Sequence, residues 1–432
     1  MDLKRFPHGI VASISGILLL ILTIPDVRGE HTGTDESGPP QWLDGKNQWP
    51  SFRGPGGFGH AFSANPPLTW HAGDGKNIRW KAAIPKPGMS SPVVWDDRVF
   101  LTGADKEKRE IYCLDADTGR MVWTHVVDGI EGSPTGDQLP DVMDTTGLAA
   151  PTAATSGSHV AAIFATGDII CLDMDGSRVW ASNLGVPKNH YGHSSSLIIH
   201  ENRLLVQYDQ KEKSELLAFD LNNGELLWRA ERDEISWSSP ILIENDRRRE
   251  LVVLNCRQID AYDPATGKKL WHVPGLSGEV AASPAYSNGL LFVANEFSAA
   301  AAVDIRTDPT NPEIIWAWAE ILPDASSPVA DENFMIVPSS YGIITCLDTG
   351  TGNPLWEHEF ETGFYSSPIL VDDMVYILDL KGTMRIIKMA DQFKLLASPG
   401  LGEPTKATPA FVGRRIYIRG ENHLFCIGEN GK

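Results

Sequence analysis

Two short phrases return along this chain, and their regular spacing restricts its fold more than any other feature. The first is a pair of small residues before a proline: SSP at 90–92, AAP at 149–151, SSP at 238–240, ASP at 282–284, SSP at 326–328, SSP at 366–368 and ATP at 407–409. SSS at 194–196 fills the gap. The second phrase is an aspartate, a turn and a tryptophan. It reads DADTGRMVW at 115–123, DMDGSRVW at 173–180, DLNNGELLW at 220–228, DPATGKKLW at 263–271 and DTGTGNPLW at 348–356. A longer form, DIRTDPTNPEIIW, spans 304–316, and the seventh unit has decayed to MADQFKLLA, without a tryptophan. Together the phrases mark eight units of about 40–45 residues, a period typical of repeat architectures.

Between the phrases lie short runs rich in Val, Ile, Tyr and Phe, such as NFMIVPS with GIITCLD and MVYILDL with GTMRIIK. Such runs, punctuated by Gly, Asp and Asn, read as strands. Each unit then holds four antiparallel strands joined by short turns, the content of one β-propeller blade. The expected fold is all-β, an eight-bladed propeller over residues 77–430. The eighth unit ends at LFCIGENGK with no tryptophan strand, whereas an orphan one, NIRWKAAIP, stands at 77–85. Trp80 is therefore expected on the outer strand of the last blade, closing the ring and removing its free edges. Ser, Ala and Gly suit strand starts that converge near an axis, and proline suits a strand start because it cannot donate to a ladder. The Asp-Thr-Gly step suits a turn, with Asp capping it and Gly supplying positive φ.

Formal net charge is −19, which argues against nucleic acid, whose binders need a basic stripe. Lys4 and Arg5 precede the apolar run 10–24, so residues 1–29 read as a signal peptide and the protein as exported, periplasmic or extracellular. The run is shorter than the ~20 residues a helix needs to span a bilayer. No later run is long enough, so no transmembrane segment is expected in the mature chain. Residues 30–76 read as an irregular leader, in which FRGP is expected to fold back along the propeller wall. Cys113, Cys171, Cys346 and Cys426 stand at one equivalent position, two residues before the turn, where Ala218, Ala261 and Ala302 stand in other units. Cysteines in different blades are too far apart to bridge. With Cys256 on a different strand, all five are expected to be free, buried thiols.

On these residues the chain resembles the pyrroloquinoline-quinone-like (PQQ-like) propeller repeat family, in which Asp-x-x-Thr-Gly-x-x-x-Trp marks each blade. It is similar to the propeller lipoproteins of outer-membrane assembly, and to exported planctomycete-type proteins that begin with a phrase like WPSFRGPGGFG (49–59). The resemblance covers residues 49–430 and implies the fold. It says less about function, because one fold hosts many. In the quinoprotein alcohol dehydrogenases of this fold, PQQ is held with a calcium ion and a disulfide between adjacent cysteines. This chain has no adjacent cysteine pair and no CxxCH, so no cofactor is expected, with PQQ and calcium as the alternative.

The remaining motifs are weak. GPGGFG (54–59) lacks the strand and helix of a dinucleotide site. The aspartates of the turns lack the rest of a calcium loop. NDRRRE (245–250) reads as a charged hairpin turn. His190 and His193 have metal-like spacing but no third ligand, and no metal is expected. The residues before each small-x-Pro step should line one mouth of the channel. Met89, His193, Trp237, Glu279, Tyr365 and Lys406 are the candidate ligand or partner site, with Leu148, Val280 and Ala325 beside them. The insertion 124–148 carries five acidic residues and no Lys or Arg. Trp80, Trp123, Trp180, Trp228, Trp271, Trp316 and Trp356 are expected to dock each blade on its neighbour. The expected function is non-catalytic: a monomeric scaffold binding an envelope or extracellular protein or a small ligand. The alternative is an enzyme working at the channel mouth, a quinoprotein dehydrogenase or a hydrolase.

Overall fold

The computed structural model describes residues 48–62, 64–189, 191–245 and 248–429. The expected signal peptide, the leader before residue 48 and His190 lie outside the described residues. The described chain forms eight antiparallel sheets, one per propeller blade; six hold four strands in sequence order, the first carries a fifth strand from the leader, and the eighth borrows its outer strand from the N-terminal side. The first blade carries Val93–Trp95, Arg98–Ala104, Arg109–Asp115 and Met121–Val126. The eighth takes Ala410–Val412, Arg415–Arg419 and His423–Ile427 from the C-terminus and its outer strand, Ile78–Ala83, from the N-terminal side. Trp80 pairs with Cys426, so the ring is closed by both ends of the propeller sequence, as its missing eighth tryptophan strand implies.

The small-x-Pro phrase does more than fit a crowded axis. Its second small residue carries a hydroxyl that joins neighbouring blades. The backbone N–H of Ser91 donates to Thr152 Oγ1, Thr152 to Ser196, Ser196 to Ser239, Ser239 to Ser283 and Ser283 to Ser327, at 2.8–3.1 Å. Ser327 then donates to Ser367, Ser367 to Thr408, and Thr408 back to Ser91, at 2.9–3.0 Å. This belt of eight inter-blade bonds is continuous and buried. It also corrects the register of two units. In the second blade the hydroxyl belongs to Thr152, after Pro151 rather than before it. In the third, Ser196 occupies the hydroxyl position and Leu197 stands where other blades have proline.

The second phrase joins the blades at their outer edge. Asp115 Oδ1 accepts from the N–H of Asp117 and Thr118 and from the Thr118 hydroxyl, which builds the turn. Gly119 follows at φ +71°, and a Cβ there would lie 2.6 Å from the ring of Trp80 in the preceding blade. The indole N–H groups of Trp80, Trp123, Trp180, Trp316 and Trp356 donate to carbonyls in the next blade's turn, at 2.7–3.0 Å. Trp228 does the same to Pro264 at 3.3 Å. Trp271 differs. Its N–H donates to the buried carboxylate of Glu250 in its own blade at 2.6 Å, because the next blade's turn is the long form without the glycine. Each tryptophan stands opposite a small residue of the third strand: Cys113, Cys171, Ala218, Ala261, Ala302, Cys346 or Cys426. Where the seventh blade has Ala397 for Trp, the residue opposite is the larger Ile386, which makes up part of the lost ring volume. Burial pushes the thiols of Cys113, Cys171 and Cys426 up to about 12. Cys256 is free as well, but it is only half-buried and lies in a loop, not in this strand position.

The leader follows the propeller wall on its inner side. Gln48–Trp49 pairs antiparallel with the innermost strand of the first blade, on its axial side. From there the segment crosses the channel. Pro50 accepts from Thr155 in the second blade, and Gly59 and Ala61 exchange backbone bonds with Leu370 in the seventh. Asn65 bonds Gly413 in the eighth. Arg53 is fully buried and donates to the carbonyls of Pro284, Phe58 and Pro328, in the fifth blade, the leader and the sixth blade. Loss of water lowers its pKa to about 9. The inner strands are sheet edges with unpaired backbone groups, and a polar, glycine-rich segment satisfies them better than the outer wall could.

The hydroxyl belt predicts a specific mutational contrast. Ser283→Ala strands the buried Ser239 N–H and should lower stability by about 1–3 kcal/mol in denaturant unfolding. Ser283→Thr keeps the acceptor, as Thr152 and Thr408 do, and should cost less than half as much.

Candidate functional site

Strands in a blade alternate in direction, so the loop entering the inner strand and the hairpin between the second and third strands emerge on one face. Every residue of the predicted mouth lies on such an entry loop. Trp237 is buried, Met89, Tyr365 and Lys406 are half-buried, and Glu279 is exposed. The face also holds residues that the repeat phrases do not mark. Tyr191 precedes the third blade, Asp324 precedes the sixth, and Glu296, Phe297 and Tyr341 sit on second-to-third-strand hairpins. Their signal was present in NEFS and SYG, and it becomes readable once strand direction is counted from the repeat.

These side chains form an arc of aromatic rings and carboxylates over the third to seventh blades. Tyr191 meets Trp237 edge-on at 5.3 Å between ring centroids, and its hydroxyl donates to Glu279 at 3.3 Å. The Trp237 indole N–H donates to Asn189 Oδ1 at 2.8 Å, and its backbone N–H to Val280 at 2.9 Å. Further along, the Tyr341 hydroxyl donates to Glu296 at 3.3 Å. Tyr341 is 69% exposed and Phe297 is 60% exposed, unusual values for aromatic side chains. The negative charge of Glu296 pushes the Tyr341 phenol above its ordinary pKa, with Asp324 adding to it. Burial raises the Tyr365 phenol first, then the charges of Asp324 and Glu296. Tyr191 is raised by burial and by Glu279. All three phenols therefore stay protonated donors at neutral pH.

The acidic insertion approaches the same face. Thr146 Oγ1 donates to the Tyr191 carbonyl at 2.8 Å, and Val142 packs beside Gly192. Asp137, Asp141 and Asp144 remain exposed. His193 turns inward from the rim instead: it is 3% exposed, its ring lies 5.3 Å from Tyr208, and burial lowers its pKa to about 4. Among the described residues no group of three or more His, Cys, Asp or Glu side chains could hold a metal ion. The turn aspartates are occupied by their own turns. A cavity of about 1450 Å³ opens on the opposite face, at the seam of the eighth and first blades. Two of its arginines are already held, Arg415 by Asp117 at 2.5 Å and Arg414 by Glu429, and no exposed aromatic ring lines it, so it is a weaker candidate than the mouth.

A family model described as outer membrane protein assembly factor BamB matches residues 59–247, 255–316 and 305–432. Among curated proteins, tetrathionate hydrolase of Acidithiobacillus ferrooxidans is 25% identical over 264 residues. That match covers 58% of this chain and 48% of the relative, so the chain aligns with about half the relative's length. Two solved structures show the same fold. BamB from Moraxella catarrhalis superposes with a TM-score of 0.60 at 15% identity, covering 81% of this chain and 99% of that one. Quinohemoprotein alcohol dehydrogenase from Comamonas testosteroni gives 0.63 at 12% identity, covering 89% of this chain and 81% of that one.

Burial holds His60, His193 and His200 near a pKa of about 4, against an ordinary value of 6.5. Between these values the unfolded chain binds protons that the folded chain refuses. Their contribution is therefore complete above about pH 6.5 and is lost as pH falls toward 4, at most about 3 kcal/mol per residue. Unfolding midpoints should drop over this window, and His193→Phe should flatten the drop.

Proposed function

We propose, from the premise that this chain belongs to the PQQ-like β-propeller repeat family, that it is a non-catalytic binding platform working outside the cytoplasm. The observation that carries this reading is the arc of exposed and half-buried aromatic rings and carboxylates on the channel mouth. Rings at a rim supply contact area at little conformational cost, and such residues dominate binding energy in protein interfaces. The leader fills the channel from the inner strands, which leaves the mouth as a floored, shallow surface suited to a partner's side chains. Export is part of the proposal and rests on Lys4, Arg5 and the apolar run that follows.

Pyrroloquinoline quinone with calcium fits these residues poorly. Among the described residues no group of three or more His, Cys, Asp or Glu side chains could hold the ion, and without it the quinone's carboxylates would meet the negative field of Glu279, Glu296 and Asp324. The half-buried Cys256 has no neighbouring cysteine in sequence, and the Arg53 guanidinium is already held by backbone carbonyls. The hydrolase relative supports a second reading, catalysis at this same mouth. Tetrathionate, the substrate in that relative's name, is a dianion and meets the same field.

Tyr365→Ala should reduce capture of a partner from envelope extract by about tenfold while leaving the unfolding midpoint near that of the parent protein, whereas Trp237→Ala, which empties a buried site, should lower the midpoint as well. Unchanged capture would remove the mouth from the interface. Cofactor absorbance and dye-linked oxidation after adding quinone and calcium, or turnover of tetrathionate, would replace the platform reading with an enzyme.

A further inference from the structure

We infer, resting on the reading of this mouth as a binding platform, that its occupant is a basic segment of a partner protein, held through Lys or Arg side chains. The rim repeats one chemical unit. Tyr191 with Glu279, Tyr341 with Glu296, and Tyr365 in the field of Asp324 each place an aromatic ring near a carboxylate. A cation over an aromatic face gains from the ring quadrupole, and a carboxylate at the ring's hydroxyl edge adds a charge-assisted partner. A neutral apolar ligand would gain nothing from the carboxylates, and an acidic one would be repelled.

The units stand around one mouth on loops of the third to seventh blades, so several carboxylates and rings are offered together to one Lys- or Arg-bearing segment. Phe297 and Tyr341 stand out into solvent there, where a partner's aliphatic Lys or Arg stems can cover them. The wider field has the same sign. The insertion 124–148, which bears five acids and no base, is folded against the Tyr191 loop, and the chain carries −19. On this face Lys188 is matched with Glu212 at 2.5 Å and Arg257 with Glu234 at 2.7 Å, and Lys406 stands apart from the arc, before the eighth blade. Such a surface speeds encounter with a basic partner and rejects acidic ones.

The test uses the purified protein and a capped peptide of about twelve alternating Lys and Ser residues, followed by titration calorimetry and by tryptophan fluorescence. The peptide should bind saturably and more weakly as salt is raised, and a matched Glu–Ser peptide should not bind. The double variant Glu279→Gln with Glu296→Gln should weaken binding about tenfold, and Tyr341→Ala several-fold. Glu357→Gln, an acid removed from the outer strand of the sixth blade, should leave binding unchanged. Three results would overturn the inference: no binding, an equal loss with Glu357→Gln, or spermine binding as tightly as the peptide and displacing it. The last would assign the rim to small organic cations. Failure here is separable from failure of the platform itself. If Tyr365→Ala abolishes partner capture with its unfolding midpoint unchanged while the peptide does not bind, the platform stands and the basic partner falls.

Discussion

Eight backbone N–H groups, each donating to a hydroxyl in the next blade, hold this propeller together at its narrowest circle. The constraint behind them is general. The inner strand of every blade is a sheet edge, and an edge buried near an axis must find partners for its backbone or lose the free energy of a missing hydrogen bond. A hydroxyl on a small residue meets that need in the space available, and a longer side chain could not enter. Because Thr408 donates back to Ser91, the belt has no end. The N-terminal strand beside His423–Ile427 closes the outer circle where Trp80 reaches the turn of the first blade. The leader then takes up inner-edge groups that the belt does not reach.

This arrangement separates structure from function by position. Belt, tryptophans and small third-strand residues carry the assembly, and they leave few demands on the loops that emerge at the mouth. Those loops can vary in length and chemistry without disturbing the ring, as the acidic insertion between the first two blades does. Burial of His193 and exposure of Tyr341 follow from the same geometry. One side chain turns inward against Tyr208, and the other stands on a hairpin, 69% exposed.

Much of the architecture was legible because the ring repeats its instructions. Asp, Gly and Trp recur at fixed spacing since each turn must accept the tryptophan of the blade before it. The exceptions show where local reading fails. AAPT and SSSL hide the hydroxyl at a shifted offset from proline, and only the inter-blade bond identifies Thr152 and Ser196. Trp271 has the phrase but not the partner, because the following turn is longer. The side of the wall that the leader takes was not legible, because nothing in FRGP says which strand edges remain unpaired after the ring closes.

Sequence by itself determined the blade count, the strand order within a blade and the exchange of ends that closes the ring. Those features depend on local turns and on a period, both written in consecutive residues. Tertiary structure alone decided what fills the channel and what gathers at the mouth. Arg53 is buried against carbonyls of the fifth and sixth blades, and Tyr191 meets Glu279 across 88 residues of chain. Contacts of that kind are set by where closed blades bring their loops, and no spacing along the chain encodes them.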